Sequence, residues 1–265
     1  MKIDDSLARG YARQIWDQVK AAGDKTSATN SPIRTLRERK RHCSEALRPF
    51  KPILLDKVAR KDFMNLSILC LRAAQRTDCN QRGIGICTYY IDFNTGKDRM
   101  FPDRPEGVCR NEFSVAMISM HAVQRTVQRA GVRTLDDFRG VLGGLPGWVS
   151  LANLLNHQGP YMVAVENGVF CCDTVIPAAG REASGTLVKT FIGIDQMTPM
   201  VFKQWQALRR ICDLTGPPRI VRRTIDLEPY KSPFRMMAEE GRRYEAWKAQ
   251  RRGDDVPGVL ERDGT

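Results

Sequence analysis

The run YMVAVENGVFCCDTVIP (Tyr161–Pro177) constrains the fold more than any other part of this chain. Two β-rich stretches flank Glu166-Asn167-Gly168, and Asn-Gly is a strong signal for a tight hairpin turn, because both residues tolerate positive φ. GTLVKTFIGI (Gly185–Ile194) supplies a third strand, and TPMVFKQWQALRRICDL (Thr198–Leu214) has the spacing of an amphipathic helix. An antiparallel meander closed by a helix is therefore expected in the second half of the chain.

The first half reads differently. Leu7–Ala22 carries Tyr11, Ile15, Trp16 and Val19 on one helical stripe, and Gly23–Pro32 is polar enough for a loop. Met64–Leu71 is apolar and fits a helix or a strand. Two β-rich runs within Ile84–Phe101 flank Asn94-Thr95-Gly96, which predicts a second hairpin. After a break at Pro102–Gly107, Phe113, Ala116, Met120, Val123, Val127 and Ala130 alternate spacings of three and four, which predicts one helix from Phe113 to Ala130. Gly131 ends it, and Thr134 with Asp136 and Asp137 starts a short helix in the manner of a capping box. Trp148–His157 fits one more helix. From Gly216 onward the chain is rich in Pro and Arg, with helical spacing around Met236–Arg252. The class is α+β: N-terminal helices, an antiparallel β-meander, a closing amphipathic helix and a basic C-terminal tail. Three regions follow: a basic helical segment with a β-hairpin over 1–110, an α+β candidate catalytic core over 111–215, and a basic extension over 216–265.

Charge narrows the partners. Forty-two Lys and Arg against 30 Asp and Glu leave a net +12 over 265 residues, which favours an anionic partner, nucleic acid first. The densest basic block is Arg34–Phe63, where Arg37, Arg39, Lys40 and Arg41 crowd together. Such a run is either a solvated helix face or a surface that tracks phosphates. Arg222 and Arg223 open a second cluster near the C-terminus.

The eight cysteines include no CxxC pair. Cys79, Cys87 and Cys109 are too irregularly spaced for a zinc framework, so neither a metal nor a cofactor is expected, and the thiols read as reduced and buried. MKIDDSLARGYARQIWDQV places acids and arginines where a signal peptide needs an apolar run, and no stretch reaches the ~18–20 apolar residues of a spanning helix. A cytoplasmic protein without a membrane partner is expected.

The histidine segment carries the candidate chemistry. His121 is one of three histidines, with Arg125 and Arg129 four and eight residues on. On a helical wheel His121 and Arg125 fall well off the apolar stripe. A histidine that titrates near neutrality beside fixed guanidiniums suits phosphodiester cleavage without a metal. The same arginines suit plain phosphate binding in a non-enzymatic nucleic-acid-binding or adaptor protein of a phage or mobile element.

HAVQRTVQRAGV, followed by YMVAVENGVFCC, LVKTFIG and a helix with Gln204 and Trp205, resembles the bacterial toxin-type, metal-independent ribonucleases of the barnase, EndoU and colicin kind. The resemblance covers about His121 to Trp205, roughly a third of the chain. It implies catalytic roles for His121, Arg125, Thr190 and Lys189, with Arg129 on the RNA. It also implies 2′-OH transesterification to a 2′,3′-cyclic phosphate, and a cognate acidic inhibitor protein as a partner. Lys189 and Thr190 point to opposite faces of a regular strand, so sharing a cleft requires a bulge.

Overall fold

The computed structural model describes residues 3–23, 35–59, 65–76, 81–94, 107–175, 185–218 and 226–252. Helix α1 (Asp5–Gly23) starts where the Asp4 carboxylate accepts the Ser6 and Leu7 amides. Its stripe of Ala8, Ala12, Ile15, Val19 and Ala22 is buried. Helix α2 (Leu36–Leu47) opens on a full capping box between Thr35 and Glu38, then runs into a 3-10 turn over Arg48–Ile53. Phe50 and Ile53 of that turn are core residues, and Phe50 meets Tyr89 edge-on at 5.1 Å.

Among the described residues, seven strands form one sheet in the order β1-β2-β3-β4-β7-β6-β5. They are β1 (Leu54–Ala59), β2 (Asn65–Arg76), β3 (Gln81–Asn94), β4 (Gly107–Ser119), β5 (Gly159–Val165), β6 (Gly168–Val175) and β7 (Gly185–Gly193). All neighbours are antiparallel except β4 and β7, which run parallel. The meander over β5–β7 is the expected one, with Glu166 and Asn167 as its tight turn. In β2 the residues Leu66–Leu71 are all buried, and in β3 so are Gly83–Tyr89. Successive strand residues face opposite ways, so helices or loops must cover both faces there. The boundary expected at 110 falls inside β4, which belongs to the same sheet as the later strands.

One expectation is corrected. Phe113–Ser119 is not the start of the histidine helix: it is the second half of β4, with Ile118 opposite Ile84 and Ala116 opposite Ile86. A continuous apolar run satisfies a helical stripe and a doubly buried strand equally, and the unpaired edge of β3 decides for the strand. Residue Asn94 pairs with Gly107, so the partner of β3 starts later than expected, and residues 95–106 lie outside the described residues.

Helices α3 (Met120–Ala130), α4 (Leu135–Leu142), α5 (Leu145–Leu154), α6 (Pro199–Thr215) and α7 (Glu228–Arg252) complete the fold. Gly131 caps α3 at φ 70°, and Thr134 with Asp137 forms the capping box of α4. Thr198 caps α6, whose Trp205 Nε1 donates to the Val165 carbonyl at 3.0 Å. The helical spacing around Met236–Arg252 is realised and reaches further back. From Glu228 to Arg252 the chain is a single helix, and Phe234, Met237, Ala238 and Gly241 bury one face of it while Arg235, Arg242 and Arg243 stay outside. It packs on β5 and on α6.

A buried polar chain pins the meander to the rest. Asn153 Nδ2 donates to the Val115 carbonyl at 2.6 Å, and Thr186 Oγ1 donates to Asn153 Oδ1 at 3.4 Å. That leaves Tyr161 as the donor to Thr186 at 2.8 Å. Burial pushes the Tyr161 phenol well above its ordinary pKa, which keeps the proton in place.

Beside it, the His157 ring stands edge-on to Tyr161 and Phe234, at 5.5 and 5.0 Å. Burial holds its pKa below the ordinary histidine value, outweighing the hydrogen bonds to Pro160 and Gly159. A histidine depressed in the folded state contributes stability that is complete above its unfolded pKa of ~6.5 and is lost as pH falls below it. Thermal melts should therefore show Tm dropping as pH falls below about 6.5. His157→Phe should flatten that slope, and an unaltered slope would show that His157 is not its source.

Candidate nucleic-acid interface

Helix α3 begins at Ser119, whose hydroxyl accepts the Ala122 amide and donates to the Lys189 carbonyl, both at 3.1 Å. That carbonyl belongs to a bulge. Cys171 pairs with Thr190 and Cys172 with Val188, which leaves Lys189 as the extra residue of β7. The bulge required for Lys189 and Thr190 to share a side is present. The ammonium of Lys189 is nonetheless committed elsewhere, 3.0 Å from Asp173 and 3.2 Å from Glu245 of α7. Burial works against its charge, but the two carboxylates outweigh it and hold its pKa above the ordinary lysine value. Thr190 is half-buried on the same strand.

His121 is exposed, away from the buried face of Ala122, Val123, Thr126 and Val127. Partial burial, then the guanidiniums of Arg125 and Arg129, hold its pKa below the ordinary value against the opposing pull of Asp5. The neutral imidazole thus dominates at pH 7, which leaves it able to accept a proton. Arg125 donates to Gln128 and lies 3.8 Å from Asp5, which also accepts from Gln124 and pairs with Arg9. Those charge-assisted bonds, the one from Arg9 foremost, keep the Asp5 carboxyl below its usual range. Asp5 thereby ties α1 to α3.

Arg129 is a structural cation. It donates to the Phe191 carbonyl, and its Nε is buried without a partner among the described residues. The structure thus brings His121, Arg125 and Arg129 onto one helix, while Lys189 is drawn into the ion network beneath α7.

At Met120, the residue before His121, lies a cleft that the pattern of single elements did not reveal. Met120 closes one side, and Arg13, Trp16 and Asp17 of α1 with Arg82 of β3 form the rest, enclosing about 370 Å³. Trp16 Nε1 donates to the Gly83 carbonyl at 3.2 Å, which fixes the ring. Lys20 and Arg82 sit over that ring at 5.5 and 5.6 Å from its centroid. An aromatic ring with cations beside it is the arrangement that stacks a base and neutralises its phosphates. A second cationic and aromatic strip lies on α7, where Tyr244 stacks on Trp247 and Arg251 sits 4.6 Å from the Trp247 centroid.

On α2, Arg37, Lys40 and Arg41 are exposed, with Arg41 3.8 Å from Glu45. Arg39 lies in the same helix, but its side chain is outside the described residues, as are Arg222 and Arg223 altogether. The six described cysteines are buried, and among the described residues no three His, Cys, Asp or Glu side chains converge as a metal site would require. Cys79 and the Cys109 side chain lie outside them. No described helix is long and apolar enough to cross a membrane. Comparison with protein-family models, curated proteins and solved structures yields no match.

Proposed function

We propose that the protein binds nucleic acid, RNA foremost, across the surface formed by α1, the start of β3 and α3. The observation that carries this reading is the Trp16 cleft, where Arg13, Lys20 and Arg82 surround a fixed indole and Met120, the residue before the exposed His121, forms part of the wall. The net charge of +12 supplies long-range attraction to phosphates. Such binding releases counterions, so affinity for single-stranded RNA should fall ~100-fold or more between 50 and 200 mM salt, as fluorescence anisotropy would read it. Binding that ignores salt, or that is absent at low salt, would refute the proposal.

A second reading, metal-independent endoribonuclease of toxin or effector type, rests on His121 being exposed, deprotonated at neutral pH and one turn from Arg125. In it His121 takes the 2′-OH proton and Arg125 faces the phosphorane charge. Lys189 does not supply that charge here, because Asp173 and Glu245 already neutralise it. A cognate acidic inhibitor belongs to this reading alone. Cleavage of total RNA in EDTA to 2′,3′-cyclic phosphate ends, lost in His121→Ala, would favour it over plain binding.

A further inference from the structure

Strands β2 and β3 set two cysteines against each other. Cys70 pairs directly with Cys87 in their antiparallel register. Opposite residues of such a pair point to the same face of the sheet, with Cβ atoms about 4.5–5.5 Å apart. Both are thiols, and both are buried, at 0% and 4% exposure. Among the described residues no other two cysteines are register partners. Cys171 pairs with Met162 and Thr190, and Cys172 with Tyr161 and Val188, while Cys43 and Cys212 lie in α2 and α6.

The strands on either side are both bulged at this pair. β1 pairs Leu54 with Cys70 and Asp56 with Leu69, which leaves Leu55 as an extra residue. β4 pairs Ser114 with Cys87 and Ala116 with Ile86, which leaves Val115 extra. A bulge interrupts the ladder and bends its strand, so β2 and β3 are held less tightly by their outer neighbours here than along a regular ladder. Gly85 adds room, because a Cβ there would lie 3.5 Å from the Cys87 sulfur. Without that carbon the sulfur is free to change rotamer. A disulfide needs Cα atoms about 4.4–6.8 Å and Cβ atoms about 3.5–4.5 Å apart. Antiparallel partners already place their Cα atoms about 4.5 or 5.5 Å apart, so closure asks for a shift of only ~1 Å.

We infer that Cys70 and Cys87 form a reversible dithiol–disulfide site, oxidised by low-molecular-weight disulfides. Cys87, the less buried of the two, attacks first as its thiolate. Its sulfur bonds to one sulfur of the small disulfide, whose S–S bond breaks and releases one small thiolate. The Cys70 thiolate then attacks the Cys87 sulfur, so the Cys70–Cys87 bond forms and the second small thiolate leaves. The two protons shed by the cysteines end on the two small thiols. The protein is oxidised by two electrons and the small disulfide is reduced by the same two. Tyr89, two residues on from Cys87 and on the same face, meets Phe50 of the 3-10 turn. Attack therefore waits for local opening beneath that turn, and exchange is slow. Once closed, the bridge ties β2 to β3 covalently until a thiol reopens it.

The native full chain, equilibrated with glutathione disulfide below its melting temperature, tests this site by mass spectrometry of the alkylated protein and its digests. A bridge joining Cys70 to Cys87, with the loss of two hydrogen masses, should form before any other pair, and dithiothreitol should reverse it. Cys87→Ser should form no bridge under the same conditions, and Cys70→Ala makes the same test should that variant not fold. The oxidised wild type should melt about 5 °C or more above the reduced protein, since the bridge closes a loop and restricts the unfolded chain. Absence of this bridge at equilibrium, a bridge formed only in denaturant, another pair closing first, or a lower Tm on oxidation would overturn the inference.

Discussion

The double charge reversal Arg13→Glu/Arg82→Glu is expected to weaken RNA binding at least ~100-fold near 100 mM salt, with the slope of log affinity against log salt falling by about two. Both side chains are exposed, so the substitution touches the cleft without disturbing the core. Each reversal removes one counterion-releasing contact and adds a repulsive carboxylate beside Trp16. Arg9→Glu makes the matching control, because Arg9 already pairs with Asp5 at 2.6 Å on the same helix. Its effect on binding should be several-fold smaller. A double variant that binds within threefold of the wild type would remove the α1–α3 surface from consideration.

Gly241→Ala should destabilise the protein by about 2 kcal/mol and lower Tm by about 4–8 °C. A Cβ at this position would lie 2.4 Å from Tyr161 Cα and 2.6 Å from its nitrogen. Those are backbone atoms of β5 and cannot swing aside, so α7 itself must lift, loosening Phe234 and Met237. Overpacking of that kind costs about 3 kcal/mol, offset by the ~1 kcal/mol that alanine gains over glycine in a helix. Gly10 in α1 has open space where its Cβ would be, so Gly10→Ala should stabilise by up to ~1 kcal/mol. Opposite signs for the same substitution in two helices would be read directly by calorimetry, and two stabilising results would mean that α7 does not lie against β5.

The features legible in the chain were those specified locally. The Thr134 box and the Gly131 stop each rest on a few consecutive residues and stand where their chemistry places them, and the hairpin forms where expected, with Glu166 and Asn167 rather than Asn167 and Gly168 as its turn. β4 was not legible, because its apolar spacing satisfies helix and strand alike and only the partner strand decides. The helical spacing of α7 was legible from Met236, but its start at Glu228 and the packing of Phe234, Met237, Ala238 and Gly241 against β5 were not, since the partner strand lies about 70 residues earlier. The exposure of His121 followed from helix geometry alone. Its surroundings did not, since Asp5, Trp16 and Arg82 come from elements far apart in sequence. The pairing of Lys189 with Glu245 was not legible either, because the two lie on elements far apart in sequence.

The single parallel seam in the sheet has a kinetic consequence. β1–β4 and β5–β7 are each assembled from strands adjacent in the chain, so each block closes short loops before its pairing is rewarded. The seam joins them through Ala116, Met117 and Ile118 opposite Thr186, Leu187 and Val188, some 70 positions away, as the Ser119–Lys189 bond shows. Nucleation is thus favoured within the blocks, and their union awaits the slowest search. The last step of folding sets Ser119 against the Lys189 carbonyl, so the start of the histidine helix is completed only when the two halves meet.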